Sequence, residues 1–229
     1  MGRLQLSFAM LLLLLGGCTT PSTPTTSTPT TALAAPTAPV DADVPLDEAR
    51  PRTEPPAADP ERSRRAREIY LRGVRLLAAG QPHVDEAIRE FKLALEIDPL
   101  FYRAHFKLGI CYYQKGMYAY EINEYKKCIA IEPKYVPGWR NLGHAHLARD
   151  ELEQARDAYD RVLDLEPNHA VALYNLALVQ FDLRNEQASR QLFRSFLEVD
   201  GEGDMGKRAR EYLSELDRRL STSSTNGGS

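Results

Sequence analysis

The fold of this chain is decided by residues 136–167, which read VPGWRNLGHAHLARDELEQARDAYDRVLDLEP. In the first half, a spacing of i, i+3, i+4 and i+7 connects Trp139, Leu142, Gly143 and His146. In the second half, a spacing of i, i+4 and i+7 connects Ala155, Tyr159 and Val162. Each spacing places its residues on one stripe of a helix. Because Asp150 lies between the stripes and Pro167 cannot continue a helix, the segment predicts a helical hairpin.

The pattern recurs along the chain with a period of 34 residues, as the prolines at 99, 133 and 167 indicate. The residues in register before Pro133 are His105, Leu108, Gly109, Tyr112, Gly116, Tyr118, Tyr125 and Cys128. Those after Pro167 are Leu173, Leu176, Ala177, Gln180, Ser189, Phe193 and Phe196. One such hairpin leaves an apolar flank uncovered, so the hairpins are expected to stack on one another.

This pattern resembles the tetratricopeptide repeat (TPR), in which W-x2-L-G-x2-Y, A-x3-F and P recur every 34 residues. The resemblance covers Ala66 to about Asp200 and implies an all-α fold, a TPR α-solenoid of about four helical hairpins plus a C-terminal capping helix. The expected repeats are about 66–101, 102–135, 136–169 and 170–203. They lie in a domain of residues 59–220, with the capping helix at 205–220 and a disordered tail at 221–229.

Two features of the second repeat depart from the pattern or leave alternatives open. Glu121 stands where the pattern has a small alanine at the helix crossing. A carboxylate there is costly unless it pairs or reaches water, so we expect Glu121 to extend outward; a splayed or functional hairpin is the alternative. Cys111 and Cys128 are expected to be buried thiols, with a disulfide as the alternative.

The first repeat departs from the pattern in its turn, residues 80–85, which is about two residues longer than the pattern allows.

The first 17 residues are typical of a lipoprotein signal peptide. Arg3 precedes a predominantly apolar run, Leu4 to Leu15, that is too short for a stable membrane span. Leu15-Gly16-Gly17-Cys18 resembles a bacterial lipobox, which implies cleavage before Cys18 and acylation of that cysteine. Several acyl chains anchor a protein stably where one barely does. The chain is therefore expected to be held to a membrane through Cys18.

Residues 18–58 are expected to form the lipidated cysteine and a disordered tether, since they are rich in Thr, Pro, Ser and Ala and cannot bury a core. Thr19, and not aspartate, follows the cysteine. By resemblance to enterobacterial sorting, this implies the outer membrane, with the domain facing the periplasm.

Motifs for chemistry are weak in this sequence. The 229 residues carry a formal net charge of −3, which gives no bias toward nucleic acid. Residues 201–207, GEGDMGK, match the spacing G-x4-G-K, but Arg208 replaces the Ser or Thr that binds Mg²⁺, and a predicted helix precedes them. His144 and His146 point to different sides of one helix. We therefore expect no catalytic residue, no metal site, no cofactor and no enzymatic activity.

The resemblance implies a concave groove lined by the first helix of each hairpin. The lining residues, expected to bind a protein partner as an extended peptide or a helix, are Arg103, Phe106, Lys107, Ile110, Tyr113, Arg140, Asn141, His144, Tyr174, Asn175, Leu178 and Phe181. Among them Phe106, Tyr113, Tyr174 and Phe181 are expected to form an exposed apolar patch. Asn141 and Asn175 match family positions that hydrogen-bond a ligand backbone. Tyr70 and Val74 replace the Lys and Asn of the family's carboxylate clamp.

The expected function is a lipid-anchored TPR scaffold or adaptor that binds a protein partner in the bacterial envelope. The chain resembles TPR lipoproteins that serve as structural or assembly components of multiprotein machines in the envelope. A role in a gliding-motility machine is the first expectation. A pilotin-like assembly factor for a pilus or secretion secretin is an alternative, although four repeats are fewer than the six of pilotins. An adaptor of peptidoglycan hydrolases is another, and a nucleotide- or metal-dependent enzyme is the alternative of a different class.

Overall fold

A computed structural model of the protein describes residues 59–226, with side chains described as far as Ser221. This part of the chain forms α1 (Pro60–Ala78), α2 (Val84–Ile97), α3 (Tyr102–Gln114), α4 (Tyr118–Ile131), α5 (Val136–Leu147), α6 (Leu152–Leu165), α7 (Ala170–Asp182), α8 (Glu186–Asp200) and α9 (Gly203–Asn226). The predicted signal peptide, the predicted lipidation site at Cys18 and the predicted tether lie outside the described residues.

The helices stack as four antiparallel hairpins followed by one further helix. α1 packs on α2, α3 on α4, α5 on α6 and α7 on α8, while α2–α3, α4–α5 and α6–α7 join consecutive hairpins and α9 packs on α8. This arrangement confirms the predicted all-α solenoid with a capping helix. Across residues 59–226, none of the helices is long and apolar enough to cross a bilayer.

Each of the first three hairpins is closed by a glycine on its first helix that faces an aromatic ring on its second. Gly73 faces Phe91, Gly109 faces Tyr125 and Gly143 faces Tyr159. The three rings are fully buried. A β-carbon at any of these glycines would lie unusually close to the ring, so the glycines allow the helices of a pair to approach closely.

The turns inside the hairpins share a left-handed backbone. Gly116, Asp150 and Arg184 follow one another at the 34-residue period, and their φ angles are 68°, 60° and 63°. The turn of the first hairpin has the predicted extra length and accommodates it as a short 3-10 helix, Gln81–His83. Asp59 caps α1, because its carboxylate accepts a hydrogen bond from the backbone N–H of Glu61 at 3.0 Å.

The capping helix is longer than predicted. α9 begins at Gly203 and continues to Asn226, so residues 221–226, which we expected in a disordered tail, are helical. The hydroxyl of Ser221 donates to the carbonyl of Arg218 at 2.8 Å, a local bond that is compatible with continued helix. On the side toward α8, the ring of Tyr212 stacks on Phe193 with centroids 5.2 Å apart.

The GEGDMGK segment, residues 201–207, contains the turn between α8 and α9 and the first residues of α9. Gly201 ends α8, and Gly203 starts α9 with a φ of 68°. A β-carbon at Gly206 would collide with the carbonyl oxygen of Gly201, so the two backbones touch at this point. The glycines therefore serve a tight connection between helices, and their backbone is used in packing.

Glu121 does not extend outward as expected. Glu121 is 1% exposed at the contact between α3 and α4, and its Oε2 has no hydrogen-bond partner among the described residues. Burial raises the pKa of this carboxyl from 4.5 to about 7. The hairpin is not splayed, since α3 and α4 pack as the other pairs do. The outward interpretation was wrong because the neighbouring residue Tyr125 fixes this turn of α4 in the core.

Cys111 and Cys128 are buried free thiols in the structure. Burial raises the pKa of Cys128 well above its usual value. Their small apolar side chains belong to the core cluster that joins the first three hairpins.

Candidate partner-binding groove

The twelve residues expected to line the groove all lie on the first helices of hairpins two to four, and we call them the inner-face residues. α3 carries Arg103, Phe106, Lys107, Ile110 and Tyr113. α5 carries Arg140, Asn141 and His144. α7 carries Tyr174, Asn175, Leu178 and Phe181. The 34-residue period thus brings equivalent positions of successive hairpins to one side of the stack.

The expected exposed aromatic patch does not exist in this form. Phe106 and Tyr174 are each 3% exposed and Phe181 is 9% exposed, so only Tyr113 of the four remains partly open. The three buried rings pack against rings from the second helix, from the next hairpin or from α9. Their partners are Tyr125 and Tyr135 for Phe106, Phe193 and Phe196 for Tyr174, and Tyr212 for Phe181.

The physical reason for this burial is the size of the side chains. An aromatic ring on the inner face is long enough to lean over the hairpin crossing and gain ring–ring contacts of about 0.5–1.5 kcal/mol each. Ile110 and Leu178 are buried as well. The inner face therefore has an apolar floor, and its more accessible side chains lie at the edges.

The inner-face residues that stay partly exposed are mostly polar. They are Arg103, Tyr113, Arg140 and Asn175. The guanidinium of Arg103 donates from Nε to the hydroxyl of Tyr102 at 3.0 Å, and it lies 5.6 Å from the centre of that ring. These contacts hold the charge at the surface while the side-chain stem packs on the aromatic face.

Asn141 is used inside the molecule. Its amide nitrogen donates to the hydroxyl of Tyr125 at 3.4 Å, and its Oδ1 accepts hydrogen bonds from Arg140 at 3.4 and 3.3 Å. The side chain is buried, so in this structure the amide joins two hairpins. Asn175, the equivalent residue of the fourth hairpin, is partly exposed.

His144 supplies a polar atom with no partner. Its ring is buried, stands edge-on to Tyr113 with centroids 6.0 Å apart, and its Nε2 makes no hydrogen bond to the described residues. Burial, helped by the charge of Arg140, lowers the pKa of His144 to about 4. The imidazole is therefore neutral at pH 7 and can either donate or accept a hydrogen bond.

His146 is occupied by a structural contact. Its Nδ1 lies 2.6 Å from Oε2 of Glu151, at the turn between α5 and α6. The two histidines of α5 thus have separate environments. Over residues 59–226, no group of three His, Cys, Asp or Glu side chains is placed to hold a metal ion.

The twelve residues predicted to line the groove leave out one cation of the first helix, Arg67. Arg67 on α1 is exposed and stands in the register of Arg103, because Gly73 and Gly109 occupy equivalent places 36 residues apart. The longer first turn displaces the 34-residue register by two residues and hid this equivalence. The available signal was the glycine that precedes the turn.

The inner face of the first three hairpins is cationic. Its positions on α1, α3 and α5 hold Arg67, Arg103, Lys107 and Arg140, and none of the equivalent positions on these helices holds an aspartate or glutamate. Lys107 is only 6% exposed, with its Nζ 6.0 Å from the ring of Phe106, so the accessible charges of this face are those of Arg67, Arg103 and Arg140. Such a surface favours carboxylate or phosphate groups on a bound chain.

Comparison with known families decides the classification. Residues 63–130 and 140–204, more than half of the chain, match the tetratricopeptide repeat. The chain belongs to the TPR family. A TPR protein from Parabacteroides merdae has a similar fold, with a TM-score of 0.62 at 20% identity over 68% of this chain and 61% of that one. At this identity the likeness concerns the fold alone.

Two further relatives carry functional names of their own. The first TPR of Spaghetti (RPAP3), solved with the HSP90 peptide SRMEEVD, is 25% identical with a TM-score of 0.50 and covers 53% of this chain and 95% of that one. The human protein O-mannosyl-transferase TMTC3 is 25% identical over 54% of this chain. The chain spans only 14% to 22% of the length of the first three curated relatives that it matches.

Proposed function

We propose that this TPR protein is a lipid-anchored, non-enzymatic scaffold that binds a protein partner in the bacterial envelope. The observation that carries the proposal is the inner face, where an apolar floor is bordered by Arg103, Tyr113, Arg140 and Asn175. Polar groups around an apolar centre are typical of surfaces that bind proteins. The peptide bound to the TPR of Spaghetti (RPAP3) supports the same mode of binding.

The anchor is the second part of the proposal. The sequence Leu15-Gly16-Gly17-Cys18 supports acylation of Cys18, and residues 19–58 would then separate the TPR domain from the bilayer. We propose the outer membrane, with the domain in the periplasm. The finer proposal is a structural role in an envelope machine, with gliding motility as the first system to test.

Reversing the inner-face charges is expected to weaken partner binding strongly. A photo-crosslinking residue placed at Tyr113 or Asn175 in cells should trap one protein. The yield should fall roughly thirtyfold when Arg103 and Arg140 are both replaced by glutamate, since each lost charge contact costs about 1 kcal/mol. The trapped band is detected by blotting and identified by mass spectrometry.

The matched control reverses Lys126 and Lys134, which are exposed lysines of α4 and of the following turn. This variant has the same change in net charge and should trap the partner as the parent does. If the crosslinking yield falls equally in both double variants, or equals that of the parent in both, the inner face has no specific role in binding. Circular dichroism should show the same helicity in both variants as in the parent, which excludes unfolding as the cause of a lower yield.

Replacing Cys18 with alanine is expected to stop lipidation. The variant should accumulate as an unprocessed precursor that incorporates no labelled fatty acid, whereas the parent is labelled. When the cells are fractionated, the variant should be absent from the outer-membrane fraction, in which we expect the parent protein. Unchanged labelling of the Cys18→Ala protein would rule out the proposed anchor while leaving partner binding to the previous test.

A further inference from the structure

We propose that two copies of this protein associate through the outer side of the solenoid, with α4 of each copy lying on α6 of the other. The outer side is formed by the second helices of the hairpins, α2, α4, α6 and α8, and it lies opposite the inner face. The proposal goes beyond partner binding by the inner face, because it concerns a different surface and a different occupant.

The outer side carries most of the exposed large apolar side chains of residues 59–221. Four of the five lie on second helices, and they are Leu93 on α2, Tyr118 and Tyr120 on α4, and Val199 on α8. The aromatic rings predicted to be exposed on the inner face are, in contrast, largely buried. Exposed apolar groups that collect on one side of a protein indicate a surface that binds another protein.

The outer face of α4 is basic. One stripe of this helix, with the spacing i, i+4, i+7 and i+11, consists of the exposed residues Ala119, Asn123, Lys126 and Ala130. Lys127 is exposed beside it, whereas both acids of α4, Glu121 and Glu124, are buried. Lys127 pairs with Glu124, but no hydrogen bond or ion pair joins Lys126 to the described residues.

The equivalent stripe of α6 is acidic. Its residues, each 34 positions after one of the α4 stripe, are Glu153, Asp157, Asp160 and Asp164, and all four are exposed. Arg156 pairs with Glu153 and Asp157. Arg161 pairs with Asp164 at 3.3 Å. Four acids against these two arginines leave an excess of negative charge on the outer face of α6.

Asp160 is the least compensated of the four acids. No hydrogen bond or ion pair joins its carboxylate to the described residues. Desolvation and the charges of Asp157 and Asp164 raise the pKa of Asp160 above its ordinary value, although Arg156 acts in the opposite direction. A cation that approaches from outside the domain favours the charged form of this carboxylate. Asp160 therefore gains from a lysine that its own chain does not supply.

A two-fold axis brings the two stripes together. α4 and α6 both pack on α5, so they run in the same direction and lie side by side, roughly 10 Å apart. An axis parallel to them and between them places α4 of one copy on α6 of the other, and α6 on α4 at the same time. Because the stripes are separated by one repeat, equivalent residues come to the same height along the helices.

This geometry gives each copy the same set of contacts. Lys126 lies opposite Asp160 of the second copy. The small side chain of Ala130 leaves room for Asp164 of the second copy, and Lys134, in the turn after α4, lies nearby. Since an exposed ion pair contributes little by itself, the association depends on several pairs and weakens with salt.

A second copy fits this surface better than a lipid bilayer does. Exposed tyrosines and lysines, as on α4, are also typical of surfaces that bind membranes. The acids of α6, however, lie only one helix spacing from the lysines, so a flat anionic bilayer would meet both signs of charge. A second copy related by the two-fold axis presents the opposite sign to each stripe.

The test uses the purified full chain in detergent micelles, with a photo-crosslinking residue in place of Asn123 and mapping of crosslinked peptides by mass spectrometry. Isotopically heavy and light protein are mixed, so that a product joining heavy and light peptides identifies a contact between copies. The expected product joins position 123 of one copy to a peptide of α6 of the other. Its yield should fall at least fivefold between 50 and 500 mM salt.

Exchanging the charges tests the pairing of α4 with α6. The α4 variant carries Lys126→Glu and Lys134→Glu, and the α6 variant carries Asp157→Lys and Asp160→Lys. Each variant alone should give at least tenfold less product between copies, because like charges then face each other. A mixture of the two variants should recover at least half of the parent yield, since both symmetry-related contacts again join opposite charges. This recovery also excludes unfolding as the cause of the loss.

Three results would overturn the proposal. The first is a product between copies that maps outside α6, and the second is a mixture of variants that does not recover the yield. The third is a product formed in cells between position 123 and lipid or a different protein, with none between copies. In that case the outer side has another occupant, and self-association is wrong.

Partner trapping from Tyr113 separates this proposal from the proposed function. The α4 variant is the control variant of the trapping experiment, so it should lose the product between copies and still trap the partner. If the product between copies is found and no partner is trapped, the proposed function fails and self-association stands. If the partner is trapped and no product between copies forms, self-association is wrong and the partner site stands.

Discussion

Replacing Glu121 with glutamine is expected to stabilise the domain above pH 7 and to leave its stability near pH 4 almost unchanged. In the folded protein the pKa of Glu121 is raised to about 7 by burial, while in the unfolded chain it is near 4.5. Between these two values the unfolded chain has released a proton that the folded protein still binds. The free energy of unfolding therefore falls as the pH rises from 4.5 to 7. Above pH 7 the loss caused by Glu121 no longer grows.

The size of the effect follows from the shift. At 1.36 kcal/mol for each pH unit, the deficit approaches about 3 kcal/mol above pH 7. The glutamine variant keeps a neutral side chain of the same size at every pH. Urea unfolding followed by circular dichroism at pH 5, 6, 7 and 8 should show the two proteins diverging with rising pH.

Glu124, one turn along the same helix, is the matched control. Burial alone would raise its pKa, but hydrogen bonds from His105 at 2.6 Å and Lys127 at 2.7 Å lower it overall. Its charged form contributes stability above about pH 4.5, which is lost at lower pH, so Glu124→Gln should destabilise at pH 7. The same pH profile for Glu121→Gln and the parent, or stabilisation by Glu124→Gln, would contradict this account.

The contrast between these two glutamates shows what the sequence can and cannot predict. The 34-residue period locates both residues on α4, and it correctly predicts four hairpins because prolines and glycines recur with the apolar stripes. It does not reveal which carboxylate has a partner. Glu124 is paired through His105 of the preceding helix, and that contact depends on how two helices are rotated against each other.

In the candidate groove too, the sequence predicts the position of a residue along its helix, and packing decides its environment. The period predicts that Phe106 and Tyr174 lie on the inner side of the first helices. Whether each ring stands in solvent or leans onto a neighbour depends on side-chain rotamers and on the aromatic residues nearby, such as Tyr135. The 34-residue pattern predicts which residues share the inner face of the first helices. Only the three-dimensional packing shows that the aromatic rings form its buried floor, whereas Arg103 and Arg140 remain partly exposed.

The second large effect is expected from Gly109→Ala, which should lower the free energy of unfolding by about 2 kcal/mol. A β-carbon at Gly109 would lie 2.6 Å from Cδ1 and 2.9 Å from Cζ of Tyr125, and nearer still to Cε1. The Tyr125 ring is fully buried and cannot move aside. Overpacking of this kind costs about 3 kcal/mol, of which the better helix propensity of alanine returns about 1 kcal/mol.

Gly143→Ala is the matched control, since it makes the same change at the equivalent place of the next hairpin. There the nearest atoms of the Tyr159 ring are 3.0 and 3.1 Å away, so a shift of a few tenths of an ångström suffices. We expect its stability to remain within about 0.5 kcal/mol of the parent, because strain and helix propensity offset each other. Hydrogen exchange should show faster opening of α3 and α4 in the Gly109 variant alone. If the two variants lose equal stability, the difference in distance between ring and glycine does not govern the packing of these hairpins.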